Sequence, residues 1–146
     1  MKMNISLVSV LALGFALASG CSTLPPSDLT ALQGTWQGQE IRNGQVTTSW
    51  LTIDGREMEF RPSDRRDWFQ STFTLRENTD PKQLTFVVTA SPVTGEIGRA
   101  TTAIYELKPL SDTQWTLVLT RHEPGDPRVP EGFNDRRARQ FVFTRE

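Results

Sequence analysis

The stretch Trp68-Phe69-Gln70-Ser71-Thr72-Phe73-Thr74-Leu75-Arg76, followed after a short turn by Gln83-Leu84-Thr85-Phe86-Val87-Val88-Thr89-Ala90, decides the fold. In the first segment Phe69, Ser71, Phe73 and Leu75 fall on alternate positions, and in the second Leu84, Phe86, Val88 and Ala90 do the same. A period of two is the mark of a β-strand with one buried face, because successive side chains leave a pleated strand on opposite sides. The connection, Asn78 to Lys82, holds turn-forming Asp80 and Pro81. Two strands joined by so few residues run antiparallel.

The alternation continues in both directions. Upstream, strands are expected near Thr35–Ile41, Val46–Ile53 and Glu57–Arg61, separated by Asn43-Gly44 and Asp54-Gly55. Those dipeptides suit the positive φ angles of two-residue hairpin turns. Downstream, Ala100–Lys108 alternates Ala103, Tyr105 and Leu107, Gln114–Arg121 alternates Trp115, Leu117 and Leu119, and Arg139–Arg145 alternates Phe141 and Phe143. With Trp68–Arg76 and Gln83–Ala90 these make eight short strands with tight turns. They predict an all-β fold, an eight-stranded antiparallel up-and-down barrel whose closure removes both edges. A two-sheet sandwich is the alternative. The second strand breaks parity, since Val46 and Trp50 are even-numbered while Leu51 and Ile53 are odd, and a bulge is expected there. Before the first strand, Ser27 or Asp28 is placed to cap a short N-terminal helical turn through Gln33, with Leu29 and Leu32 on one face and Gly34 ending it.

The first 20 residues read differently. Lys2 is their only charge, Ile5 to Leu17 is apolar apart from Ser6, Ser9 and Gly14, and small residues precede Cys21. This is the layout of a cleavable secretory signal, too short to span a bilayer as a stable helix. Leu17-Ala18-Ser19-Gly20-Cys21 resembles the lipobox of bacterial lipoproteins, with Ala18 where that motif more often has Leu. The resemblance implies acyl chains on Cys21 and a membrane anchor that is durable once several chains are buried. Ser22, in place of the aspartate that usually retains such proteins at the inner membrane, favours the outer membrane of the cell envelope. The expected organisation is a lipoprotein signal peptide at 1–20, a lipidated tether at 21–27 and a barrel domain at 28–146.

Composition narrows the function. Without the first 20 residues the chain carries 15 basic and 17 acidic residues, and it has no basic stripe interleaved with aromatics, which argues against nucleic acid as a partner. Cys21 is the sole cysteine and His122 the sole histidine, so neither a metal site nor a nucleophile–base pair is spaced in the sequence. No catalytic residue, metal or cofactor is expected. The expected partners are the membrane through the anchor, a small hydrophobic ligand, and, as a competing reading, an envelope protein engaged through the loops.

Candidate residues follow from parity. Phe60, Phe73, Phe86, Tyr105 and Trp115, with Phe69, Phe141 and Phe143, face inward; they line an apolar pocket or fill the barrel outright. If Trp36 faces inward, so do Gly38, Glu40 and Arg42, which makes Glu40 and Arg42 polar anchors at the far mouth. The preferred expectation is a bend in the first strand that turns both to solvent. The irregular segment His122 to Ala138 is a lid over the mouth, a partner surface, or a solvated loop whose arginines pair with Asp126, Glu131 and Asp135.

Gly34-Thr35-Trp36 at the start of the first strand resembles the lipocalin and lipocalin-like families. In an eight-strand meander that point lies beside the end of the last strand, so Arg145, which shares a face with Phe141 and Phe143, is placed to stack on Trp36 and close the barrel. Longer stretches are similar to the small lipocalin-like domain of unknown function found in many planctomycete and some other bacterial lipoproteins. These are Asp28-Leu29-Thr30-Ala31-Leu32-Gln33-Gly34-Thr35-Trp36, Asp80-Pro81-Lys82-Gln83-Leu84, Ile104-Tyr105-Glu106-Leu107 and, in part, Arg128 to Phe133. The resemblance implies the barrel fold and carries no ligand or catalytic residues. That group often has a cysteine in the seventh strand, which this chain lacks.

Overall fold

The computed structural model describes residues 26–145 apart from Asn43, so the signal segment and Cys21 lie outside the described residues. A one-and-a-half-turn helix, α1 (Asp28–Leu32), is followed by eight strands: β1 (Gly34–Arg42), β2 (Gln45–Asp54), β3 (Glu57–Pro62), β4 (Phe69–Arg76), β5 (Lys82–Ala90), β6 (Ala100–Pro109), β7 (Trp115–Arg121) and β8 (Arg139–Arg145). Each strand pairs antiparallel with the next, and β8 returns to β1, giving a closed eight-stranded meander barrel. The sheet therefore has no open edge. Its core is drawn from Leu29 to Phe143, so the barrel folds on its own residues.

Two glycines of β1 have different reasons to be there. Gly34 turns the chain from α1 into the sheet at φ +113°, a conformation that L side chains rarely adopt, although the space around it is open. Gly38 sits at the closing seam opposite Phe143, where an added Cβ would lie 2.3 Å from the Phe143 ring and 2.6 Å from the carbonyl oxygen of Val142. The first requires a backbone shape and the second requires room.

The expected bulge in β2 is not there. β2 pairs with β1 without a break from Gln45 to Ile53, and Ser49, Leu51 and Ile53 form its buried face. Val46 and Trp50 face outward instead: Val46 is exposed, and Trp50 is half-buried beside Arg61 and Trp68 on the outer wall. A tryptophan's size and type do not by themselves place it in the core. The register breaks between Gln70 and Ser71 of β4, where Thr89 of β5 has no opposite residue.

The long β7–β8 connection edges the mouth at its start and then follows the outer wall. Gly125 N–H donates to Thr101 Oγ1 at 2.6 Å, and Phe133 borders a cleft on the outer wall with Pro81, Lys82, Glu106 and Leu107. The loop covers Ile104 and Thr120, which point outward by parity yet are fully buried. Its charges are largely spent internally: Arg128 holds Asp126 through three side-chain hydrogen bonds, and Arg137 reaches Glu131 and Asp135.

Candidate functional site

The barrel has a closed end and a mouth. At the closed end α1 plugs the opening. Ser27 caps it, its hydroxyl accepting from Thr30 N–H at 3.3 Å. Leu32 is wholly buried, and Trp36 Nε1–H donates to the Leu32 carbonyl at 2.8 Å. The Arg145 guanidinium lies 4.7 Å from the Trp36 ring and donates to the Ala31 carbonyl. The Gln33 amide clasps the β2–β3 turn, accepting from Gly55 N–H at 2.6 Å and donating to the Gly55 carbonyl at 3.0 Å. Asp28 takes hydrogen bonds from Tyr105 Oη at 2.8 Å and Lys82 Nζ at 2.7 Å. Burial first, and then that bond to Asp28, drive the Tyr105 phenol far above its ordinary range, so it stays a donor.

The middle of the barrel is filled with rings. Phe60 and Phe69 stack at 5.3 Å, Phe69 and Phe86 at 5.2 Å, and Phe141 and Phe143 at 5.8 Å, with Phe60 edge-on to Phe141 at 5.3 Å. All five are at most 2% exposed, as is Phe73. Trp115 is half-buried at the closed end. The candidate lining residues are thus spread over the barrel's length: Phe60, Phe73 and Phe86 in the packed centre, Tyr105 tied to the plug, Trp115 at the closed end and Glu40 near the mouth. A closed eight-strand barrel has, in principle, the architecture to hold one small hydrophobic ligand.

At the mouth the last inward residues of the strands are charged. Glu40 is buried, contrary to the expectation that a bend would expose it: β1 runs straight, and Arg139 of β8 clamps the carboxylate bidentately at 2.6 and 2.7 Å. Arg42 does reach solvent, 3.5 Å from Glu123. Arg121, at the end of β7, is 1% exposed. Its guanidinium carbon lies 5.1 Å from the Phe60 and Phe141 ring centres and 5.3 Å from that of Phe69, so the ring stack ends on a cation. Its Nη1 donates to the His122 carbonyl at 3.0 Å, and no carboxylate among the described residues lies within salt-bridge distance of it. Burial, and then repulsion by Arg139, push the Arg121 guanidinium down to about 10, which leaves it cationic at neutral pH. Above it opens a cleft of about 200 Å³ lined by Arg121, Arg139, Asp67, Val93, Glu96, Glu123 and Pro124.

His122 faces away from this cleft's chemistry. It is buried with Nδ1 3.2 Å from the Arg137 carbonyl and Nε2 3.8 Å from Asp135, fixing the loop along the wall. The Arg137 and Glu131 backbone N–H groups hold the Asp135 carboxyl below its usual range. Among the described residues no group of three or more His, Cys, Asp or Glu side chains is placed to hold a metal ion, and no helix is long and apolar enough to cross a membrane.

Arg121 and Arg139 were overlooked in the sequence, yet parity marks them: Arg121 follows Trp115, Leu117 and Leu119 by twos, and Arg139 precedes Phe141 and Phe143 likewise. Charge at a strand end reads as solvent-facing unless the whole barrel is in view.

The architecture defines a class: a lipocalin-like barrel, an eight-stranded antiparallel meander closed at one end by a short helix. Compared with protein-family models, with curated proteins and with solved structures, the chain matches none.

Proposed function

We propose that this protein is a lipid-anchored binding protein of the cell envelope, related to the small lipocalin-like domains of bacterial lipoproteins, that takes up a small, largely apolar molecule at the mouth of its barrel. The difference between the two ends carries this reading. The closed end is sealed by a helix, a ring and backbone hydrogen bonds, whereas the mouth is bounded by side chains around an open cleft. The long loop borders this cleft with Glu123 and Pro124, its Gly125 bonded to the inward-facing Thr101, and then runs down the outer wall.

Chain direction supports the same assignment. Residue 26 enters the barrel beside the closed end, next to α1. With Cys21 acylated, residues 21–27 span at most about 20 Å, which sets the closed end towards the bilayer and turns the mouth to the aqueous side. The ligand would then be collected from the envelope fluid, above the ring stack. The outer membrane is the proposed location, from Ser22.

The packed ring stack favours a second reading, an interaction module that engages another envelope protein through its loops. Native mass spectrometry of residues 22–146, exported through an ordinary secretory signal in the host and purified gently, separates the two. A stoichiometric extra mass that leaves on denaturation supports the binding protein. A bare chain would sink it in favour of the interaction module.

A further inference from the structure

We propose that the mouth cleft is a carboxylate site, in which Arg121 anchors a small monoanionic organic acid; this rests on the small-molecule reading above and specifies the ligand's polar end. A guanidinium has five N–H donors in a planar fork suited to carboxylate. Arg121 commits one nitrogen, Nη1, to a single backbone carbonyl, and its Nε and Nη2 have no protein acceptor among the described residues. Leaving a buried cation so sparsely bonded is costly unless something else completes its shell. Rings occupy one side of Arg121, so the completing group comes from the cleft.

The neighbouring charges narrow the ligand. Arg139 is saturated by Glu40 and also reaches Glu123 at 3.3 Å, which leaves Arg121 as the available cation of the cleft. Glu96 accepts from Ser91 Oγ at 2.8 Å, Glu123 lies between Arg42 and Arg139, and Asp67 stands exposed on the rim. Glu123 and Glu96 already favour the Arg121 charge, and the three carboxylates repel any anion, a dianion such as a phosphate monoester about twice as strongly as a monoanion, so a single carboxylate held by the fork is the most charge the cleft accepts. Val93 and Pro124 offer apolar wall to the acid's carbon chain. The cleft, at about 200 Å³, has the room of roughly six water molecules.

The test is calorimetric titration of residues 22–146 with hexanoate, hexanol and hexyl phosphate. Hexanoate is expected to bind at one site, with hexanol and hexyl phosphate each weaker by at least about tenfold, the size of one charge-assisted hydrogen bond. Arg121→Met should abolish hexanoate binding, and Arg121→Lys should retain a weakened fraction. In the unaltered protein the Arg121 Nε–H resonance should shift on titration, which tests the site even if a variant fails to fold. Equal affinity for hexanoate and hexanol would overturn the carboxylate site while leaving a binder of apolar molecules. Binding that survives Arg121→Met, or no hexanoate binding at all, would overturn it too. In the latter case a host ligand found by mass spectrometry would keep the broader reading alive.

Discussion

Each end of the barrel lays an arginine on aromatic rings, and the two arginines are in opposite situations. Arg145 lies on Trp36 and donates to the Ala31 carbonyl, so its contacts tie α1 to β1 and β8. Arg121 lies on three phenylalanines, is more deeply buried, and donates to one carbonyl while the rest of its fork faces a cleft. The same pairing of cation and ring thus serves closure at one end, where Arg145 Nε is buried without a partner, and borders a cleft at the other. What separates the two is their surroundings: Arg145 is packed against the plug, and Arg121 borders a cleft with room for a ligand.

Substitutions at the two ends test that contrast. The largest effect is expected at the plug: Trp36→Ala removes a fully buried ring and should cost about 3–5 kcal/mol in chemical denaturation. An unchanged midpoint would remove the plug from the account of stability. Next, Glu40→Ala at the mouth leaves Arg139, whose side chain is only 11% exposed, with Glu123 alone as its carboxylate partner, and should cost about 2 kcal/mol. A loss below about 0.5 kcal/mol would place that ion pair with surface pairs.

Arg121→Met should behave in the reverse sense. A side chain of similar length without the buried charge is expected to raise stability by about 1 kcal/mol, read as a higher melting temperature. A clear destabilisation would make Arg121 a structural counterpart of Arg145 and erase the distinction between the ends. The smallest change, Ser27→Ala, removes the α1 cap and should cost about 1 kcal/mol or less. Fractionation tests the anchor on which the proposed orientation depends: Cys21→Ala should leave the membrane fraction, and full retention there would undo the anchor.

The fold was largely legible before any coordinates. Alternation in β4 through β8 and the Asn-Gly and Asp-Gly turns specify short antiparallel strands, because period two and hairpin chemistry are local properties. β2 was misread where an outward Trp50 mimicked a core residue: the true inward set, Ser49, Leu51 and Ile53, includes a serine that composition alone does not mark as core. The plug was legible in part, through Ser27, Leu32 and Gly34-x-Trp36. Its side-chain clasps, Gln33 on Gly55 and Asp28 on Tyr105, join residues 22 and 77 positions apart and had no local signal.

The candidate site divides along the same line. By itself the sequence determined a run of eight strands, an apolar face of rings and a capped helical turn, all carried by neighbours in the chain, and it offered a resemblance to a lipobox at Cys21. Only the tertiary structure decided that the rings pack on one another, that the long loop lies along the wall, and that Glu40 meets Arg139 across 99 positions. It also decided that Arg121 ends its strand inside the barrel with no carboxylate partner among the described residues. The physical reason is that charge at a strand end has no intrinsic partner. Whether it faces solvent, another residue or a cleft depends on which strands the closed sheet brings beside it.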